Sequence, residues 1–351
     1  MASFDFKTLA DRLKVKNVPR DLLAIDFSQP LPKGCRLRQA NGNVNLMAAD
    51  VLPALPQETA EGENVASAKI EIPPALMARH LAICISGRNA LVKLLNLPGQ
   101  ITGESEAKIR EDMGVSASEY HRIGYQVLGM GHGRVETKLV AVALPEKDIQ
   151  KYLGFFAEDW PVPVSVEMAG LAAINAFIKG YLESNPDEAI GVIQFEDHVS
   201  FFAFFYKKEL VLIRKFDFGH EYVLSTIENR LNVNRETAVN VASDQSFDIT
   251  QMIKEVSDPF VRQLVISKHF VERRENCRIS KIYIPGTAPA SYRLTQEISV
   301  ASECTVEGWD PFKAVNMAQN AASDRISLPG QFSQFAASIG AGVGFLSEAV
   351  K

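Results

Sequence analysis

Apolar and polar positions follow a pattern that occurs twice along the chain. Each half opens with three apolar runs of strand length and continues with segments whose apolar residues recur at helical spacing. The predicted strands are Leu22–Phe27, Arg36–Gln39 and Val44–Val51 in the first half, and Ala189–Gln194, Val199–Tyr206 and Glu209–Lys215 in the second. A repeat of roughly 165 residues is too long for a solenoid, so the pattern predicts a duplicated α/β domain.

Further elements of the first half follow from local signals. The turn Asn41-Gly42-Asn43 joins the second and third strands, because Asn-Gly is a strong hairpin signal. A second hairpin is predicted from Ala82–Ile85 and Ala90–Leu97, turned at Gly87-Arg88-Asn89. The remaining predicted elements of this half are strands Tyr125–Met130, Glu136–Ala143 and 161–165, and helices 4–15, Glu104–Met113, Lys147–Glu158 and Met168–Leu182.

The second half is richer in helices. Three are predicted in succession, at Tyr222–Leu231, Arg235–Ala242 and Ile249–Arg273. The rest of this half contains strand Lys281–Ile284, helix Leu294–Ser299, strand Cys304–Glu307 and the closing helix Phe332–Ala349. Four phenylalanines, at 201, 202, 204 and 205, predict a strand that is buried on both faces.

These elements predict a domain organisation. The Ser184–Asp187 turn is the best boundary in the chain. We therefore expect an N-terminal helix within 1–20, a first domain at 21–185 and a second at 186–351. An inserted subdomain is expected at about 82–165 and a helical one at about 220–275. The N-terminal helix mixes charges of both signs, which favours packing on the body over binding lipid.

Composition narrows the function classes. Forty-two acidic against 37 basic residues give a formal charge of −5, which argues against nucleic-acid binding. The four cysteines lie far apart with no CxxC pair, as expected for reduced thiols in the cytoplasm. The N-terminus does not resemble a secretory signal, and the longest charge-free window, 326–347, is too polar for a bilayer span. We expect any membrane role to depend on a partner.

Few short motifs point to chemistry. The glycine-rich segment 128–133 lies between two predicted strands, so it is interpreted as a hairpin tip and not as a phosphate loop. Glu196-Asp197-His198 is interpreted as a solvated turn, because no second His or Cys stands at metal-ligand spacing. No GxSxG, Walker A or HExxH motif occurs, and no metal site is predicted.

One resemblance organises the whole chain. Ala24-Ile25-Asp26-Phe27-Ser28 on to Lys33 is similar to the G-I-D-[IV]-G-x-x-x-[VI]-K motif of the type IV pilus assembly protein PilM family and its relative FtsA. Further segments resemble that family in the same order, namely Leu139–Glu146, Pro163–Ala172, Arg214–Gly219, Ile282–Thr287, Trp309–Phe312 and Ala337–Gly342. The match spans about residues 22–346. It implies an actin-like, ribonuclease H-like duplicated fold of two domains with an inserted small subdomain.

In that fold, as the resemblance implies, ATP and Mg²⁺ lie against two loops rich in Gly and Ser. Asp26, Lys33, Gly286 and Thr287 match the family's positions and would form a residual nucleotide site. Five further positions depart from the family pattern, and these are Ser28, Gln194, Glu196, Val239 and Ala242. Glutamine cannot hold a metal as a carboxylate does, and Glu196 brings negative charge to the expected phosphate position.

The resemblance therefore implies a scaffold and pseudo-ATPase, not a working enzyme. Such a protein would bind the cytoplasmic tail of a PilN-like membrane protein through the inserted subdomain, at the inner face of the cytoplasmic membrane. Self-association is a further expectation. The alternative is a functional actin-like ATP-binding protein with slow ATPase activity. A sugar or acetate kinase of the same superfamily would need a catalytic Asp, for which Asp197 is the candidate.

Overall fold

The computed structural model falls into two compact units. It describes residues 19–55, 69–99, 101, 105–116, 118, 120–130, 136–157, 160–184, 188–244, 246–285, 291–318 and 332–348. The first unit contains the described residues up to Tyr181 and takes up the chain again at Pro311, and the second begins at Leu182. The predicted helix at 4–15 lies outside the described residues.

A six-stranded sheet forms the centre of the first unit. In spatial order its strands are β14 (Asn316–Met317), β3 (Asn43–Val51), β2 (Lys33–Ala40), β1 (Asp21–Asp26), β4 (His80–Ile85) and β8 (Val162–Met168). The first three strands in the chain are antiparallel, and β4 and β8 then run parallel to β1. Asn41 and Gly42 have φ values of 52° and 78°, the left-handed conformation that a tight hairpin turn requires.

Two apolar helices cover one face of this sheet. They are α3 (Ala169–Gly180) and α8 (Ala336–Glu348). Gly340 makes their close approach possible, because a Cβ there would lie 1.6 Å from the Ala172 carbonyl oxygen. The expectation that residues 186–351 form one domain is thus wrong at its end. The closing helix packs in the first unit because its small-residue face fits α3.

A small antiparallel sheet lies within the first unit. Its strands, in the order β5-β7-β6, are β5 (Leu91–Pro98), β7 (Glu136–Pro145) and β6 (His121–Met130). Helix α1 (Ser105–Met113) packs on it through Ile109 and Met113. Helix α2 (Glu146–Leu153) follows β7.

The predicted hairpin of Ala82–Ile85 with Ala90–Leu97 is wrong. The first segment is β4, which is buried between β1 and β8, whereas the second is β5, which pairs with β7. An unbroken apolar run such as Leu81–Ile85 is typical of a strand inside a parallel sheet. The small sheet therefore spans Leu91–Pro145, and β4 and β8, which the predicted 82–165 subdomain included, belong to the large sheet.

The second unit has a five-stranded sheet whose strands follow the same order and directions as those of the first. In spatial order its strands are β11 (Glu209–Phe216), β10 (Ser200–Tyr206), β9 (Ile190–Phe195), β12 (Lys281–Pro285) and β13 (Thr305–Trp309). Three antiparallel strands are again followed by two parallel to the first of them. This shared order confirms the duplication that the hydrophobic pattern predicts.

Helices pack on this second sheet. They are α4 (His220–Leu231), α5 (Arg235–Ser243), α6 (Thr250–Glu275) and α7 (Ser291–Ser302). Phe260 of α6 lies in an aromatic cluster, with ring centroids 5.1 Å from Phe218 and 5.5 Å from Phe195. The four phenylalanines of β10 are 0–1% exposed, so the prediction of a strand buried on both faces is confirmed.

Candidate functional site

The first half of the expected nucleotide site lies where β1 ends. Asp26 is 2% exposed, and its Oδ1 accepts a hydrogen bond of 2.9 Å from the Ser28 amide. Burial raises the pKa of Asp26 to about 6, although the hydrogen bonds from Ser28 and the charge of Lys33 act in the opposite direction. The carboxylate thus closes a local turn at the position where the family pattern has Gly.

Lys33 lies directly opposite Asp26 in the pairing of β1 with β2. Its Nζ is 2.6 Å from the Leu31 carbonyl oxygen, to which it donates, and the residue is 3% exposed. Pro30 and Pro32 in the intervening loop have no amide proton to offer a phosphate. The structure therefore brings Asp26, Ser28 and Lys33 together, but their polar groups serve the loop itself.

A second buried carboxylate, that of Glu167, lies level with Asp26 across the neighbouring strands β1, β4 and β8. The strand registers pair Asp26 with Cys84, and Cys84 with Glu167 at the end of β8. Glu167 is 1% exposed, and its Oε1 accepts a hydrogen bond of 3.1 Å from the Ser165 hydroxyl. Both carboxylates lie at the carboxyl edge of the parallel strands, where ligand sites of α/β sheets form. The sequence analysis did not identify Glu167 as a site residue, because only the order and register of the strands show that it lies level with Asp26.

The other half of the expected site belongs to the second unit, at the turn after β9. Gln194 is 7% exposed, and its Nε2 donates to the Phe195 carbonyl over 3.2 Å. Within the described residues its Oε1 has no hydrogen-bond partner. Glu196 is 1% exposed, so the interpretation of residues 196–198 as a solvated turn is wrong for this residue.

The turn is held tightly against the start of α4. The amides of His220 and Glu221 donate to the carbonyl oxygens of Glu196 and Asp197, over 3.1 and 2.8 Å. A Cβ on Gly219 would lie 2.3 Å from the Glu196 carbonyl oxygen, so only glycine fits there. These first amides of a helix are the groups that bind phosphate elsewhere. Here they already have acceptors.

The charge of Glu196 also has a neighbour in its own unit. Burial lowers the pKa of Lys215, and the negative charges of Asp217 and Glu196 act against that shift. Lys215 stands on β11 and is partly buried. An anionic ligand at this turn would compete with Glu196 for electrostatic attraction to the Lys215 ammonium group.

The remaining predicted positions contribute no polar side chain. Val239 and Ala242 lie on α5, which begins at an Asn234 cap that accepts from the Thr237 amide. Val239 is 42% exposed, and Ala242 belongs to the apolar core of the second unit. Neither side chain can hydrogen-bond a ribose. Gly286 and Thr287 lie outside the described residues.

The residues that are described fit ATP and Mg²⁺ poorly. Asp26 is engaged with Ser28, Gln194 is uncharged, and Glu196 is a buried anion. Among the described residues, no group of three or more His, Cys, Asp and Glu side chains is arranged to hold a metal ion. The arrangement can stabilise two loops, but it offers a triphosphate few free donors.

A different concave feature lies beside the small sheet of the first unit. Gly124 of β6 and Val142 and Leu144 of β7 form one wall, and Val166 and Met168 of β8 form another. Ile149 of α2 completes an apolar cleft. At its mouth Arg122 makes a two-pronged ion pair with Glu146, at 2.9 and 2.5 Å.

Comparisons with known proteins identify the fold. No family model matches the chain, and no curated protein matches it by sequence. A solved chain from the "PilM-PilN type IV pilus biogenesis complex" matches with a TM-score of 0.75 at 16% identity, covering 93% of this chain and 99% of that chain. The actin-like fold implied by the sequence resemblance is therefore confirmed.

Two more distant structures are also similar. A Bacteroides thetaiotaomicron protein with an actin-like ATPase fold and unknown function has a TM-score of 0.46 at 12% identity, covering 84% of this chain and 95% of that one. The ethanolamine utilization protein EutJ from Carboxydothermus hydrogenoformans has a TM-score of 0.41 at 12% identity, covering 96% and 98%.

Proposed function

We propose that this protein is a cytoplasmic scaffold of a type IV pilus-like assembly system. In this role it binds the cytoplasmic tail of a PilN-like inner-membrane protein and carries a degraded nucleotide site. The observation that carries the proposal is the likeness to a chain of the PilM-PilN complex over 93% of the protein. None of the described helices is both long and apolar enough to cross a bilayer. In this proposal the tail provides the link to the membrane.

The hydrogen bonds within the loops support the proposal that the nucleotide site is degraded. Among the described residues, each polar group that the resemblance assigns to nucleotide binding either has an intramolecular partner or is replaced by a different residue type. Asp26 and Lys33 bond to their own loop, and the α4 amides bond to the turn after β9. Val239 and Ala242, on α5, occupy the two positions where the family pattern has ribose-contacting residues. A scaffold needs the fold that these loops stabilise, but not turnover.

The edge of the small sheet supports the tail-binding role. Strand β6 lies at this edge as described, and an edge strand can pair with an extended peptide through backbone hydrogen bonds. The apolar cleft beside it has a volume of only about 10 Å³, so it would have to widen to accept a side chain of the peptide. The ion pair of Arg122 with Glu146 marks one end of this cleft.

The proposal is tested by a change in the edge strand. Gly124→Leu should weaken binding of a synthetic PilN-like tail by about tenfold or more, because the cleft is too small for the new side chain and β6 must shift. A circular dichroism melt establishes that the variant is folded. Titration calorimetry measures the affinity, and co-sedimentation with vesicles that contain the whole partner tests recruitment.

A control lies in the second unit, outside the small sheet. Ala301→Leu adds a bulky side chain at an exposed position of α7, so tail binding should persist. Replacing 87–145 by a Gly-Ser linker should abolish recruitment and leave the second unit folded. Equal sedimentation with partner-free vesicles would refute the proposal and assign anchoring to the N-terminal segment.

A further inference from the structure

A second surface of the first unit has the features of a protein-binding site. It lies where β1, β4 and β8 begin, at the amino edge of these parallel strands. Five residues of β1 separate this edge from Asp26, or roughly 17 Å at the usual rise per residue. The cleft proposed for the membrane partner lies toward the other end of β8, so the two surfaces are separate.

The surface is an open depression with a volume of about 420 Å³. Arginines dominate its lining, with Arg20, Arg36 and Arg79 in the wall and no lysine among the lining residues. Arg38 stands beside them, since it shares the Asp21 carboxylate with Arg36. Four arginines against one aspartate give this region a net positive charge, although the whole chain carries −5.

Asp21 offsets only part of the charge of these arginines. Asp21 accepts from Arg36 at 2.7 and 3.0 Å and from Arg38 at 2.7 Å, so one carboxylate serves two guanidinium groups. Arg20 and Arg79 have no ion-pair partner among the residues that the structure describes. His80, in the same wall, has its pKa lowered by burial and by the charge of Arg79, which opposes any added proton.

Apolar groups accompany this charge. Trp160 is 38% exposed and Met77 is 43% exposed, and both line the depression. Exposed tryptophan and methionine beside arginine are the residues enriched where proteins bind one another. Lone exposed apolar residues need no explanation, but here two of them share a concave wall with the arginines.

We propose that this arginine-rich depression, formed by Arg20, Arg36, Arg79, Met77 and Trp160, binds an acidic peptide segment with an apolar or aromatic anchor. Charge complementarity selects the acidic partner. The planar guanidinium fork matches a carboxylate in a two-pronged geometry, which Arg36 already makes with Asp21. A concave wall without lysines fits a peptide better than a flat anionic bilayer.

Trp160 provides the signal for a direct test. The chain has two tryptophans, and the other, Trp309, is 3% exposed in the second unit. The probe is a short Asp/Glu-rich peptide with central Phe and Leu, compared with its Asn/Gln counterpart. The acidic peptide should change tryptophan emission and bind more weakly as salt rises, whereas the neutral peptide should do neither.

Charge-reversal variants test the residues. Arg20→Glu and Arg79→Glu should each weaken binding by about tenfold or more, because each adds an anion beside the peptide. Arg273→Glu makes the same charge change beside exposed Phe270 on α6, and binding should persist. Trp160→Phe should remove the emission change but keep binding, as measured by anisotropy of a labelled peptide.

Several results would overturn the proposal. These are no binding at millimolar acidic peptide, equal binding by the Arg79→Glu and Arg273→Glu variants, or arginine-dependent binding to phosphatidylglycerol vesicles without peptide binding. Circular dichroism melts establish that each variant is folded. The tail-binding assay, run in parallel, should be unaffected by Arg79→Glu, which separates this site from the proposed function.

Discussion

Asp26 stands at a position that the resemblance assigns to nucleotide binding, and in this structure it bonds within its own loop. Its carboxylate is buried and closes the turn to Ser28, and Lys33 across the strand pair donates to the loop carbonyl of Leu31. Glu196 in the second unit is likewise buried within its own turn. Local hydrogen bonds give the side chains of Asp26 and Lys33 a structural role, whereas the turn at Glu196 is held through its backbone amide and carbonyl.

The cost of burying Asp26 leads to a pH prediction. Its pKa is raised from 3.8 to about 6, so the folded state binds its proton more tightly than the unfolded state does. Stability from this group is therefore greatest at low pH and is lost as pH rises from about 4 to 6, by up to about 3 kcal/mol. Asp26→Asn should stabilise the protein at pH 7.5, and the gain should vanish near pH 4. Urea unfolding at several pH values measures it.

The same substitution at the exposed Asp217, Asp217→Asn, is the control for the chemical change itself. An Asp26→Asn protein that is less stable than the wild type at every pH would contradict the prediction. It would show that the charged carboxylate contributes more through Ser28 and Lys33 than its burial costs.

At the scale of elements, backbone proximity decides where the closing helix packs. Helices α3 and α8 approach so closely that Gly340 lies against the backbone of Ala172, and a Cβ on Gly342 would lie 2.0 Å from Leu37 Cδ1. The small residues on one face of α8 pack against α3, which lies more than 150 residues earlier in the chain. Neighbouring segments of the sequence do not reveal this contact.

Gly340→Ala should therefore destabilise the first unit strongly, by about 3 kcal/mol or more, because the clash is with backbone and the helices must separate. Gly129→Ala on β6 is the matched control, with an expected change within about 0.5 kcal/mol. Thermal and urea unfolding measure both variants. A Gly340→Ala protein as stable as the wild type would show that α3 and α8 pack less closely than described.

At the scale of the whole molecule, the proposed pseudo-ATPase rests on positions from both units that depart from the family pattern, Gln194 and Glu196 among them. The protein should therefore release no phosphate from Mg-ATP above background. Gln194→Asp combined with Glu196→Gly should increase nucleotide affinity, because a carboxylate for the metal appears and a buried anion disappears. Calorimetry and phosphate-release assays measure affinity and turnover.

The paired change Gln251→Asp with Glu255→Gly, on the exposed face of α6, controls for charge and should leave nucleotide affinity unchanged. Steady phosphate release by the unmodified protein would contradict the pseudo-ATPase proposal and favour the slow-ATPase alternative. Binding of a nucleotide without turnover would not contradict the proposal, because Asp26 and Lys33 remain at the positions that the resemblance assigns to nucleotide binding.

The sequence by itself determined the elements and the duplication. Strand and helix periodicity, the Asn41-Gly42 turn and the phenylalanine-rich β10 are local properties of the chain, so their pattern predicts them directly. The same holds for the order of motifs that led to the actin-like fold. Departures from the family pattern, such as Gln194, are also found in the sequence alone, because comparing residue types needs no coordinates.

Tertiary structure alone decided the pairings and the environments. Whether His80–Ile85 pairs with β5 or lies between β1 and β8 depends on contacts distant in the chain, which local periodicity cannot encode. The same reason hid the return of α8 to the first unit and the shared row of Asp26 and Glu167. It also hid the arginine-rich depression, whose residues come from separate segments of the chain and meet only because strands β1, β4 and β8 begin at one edge of the sheet.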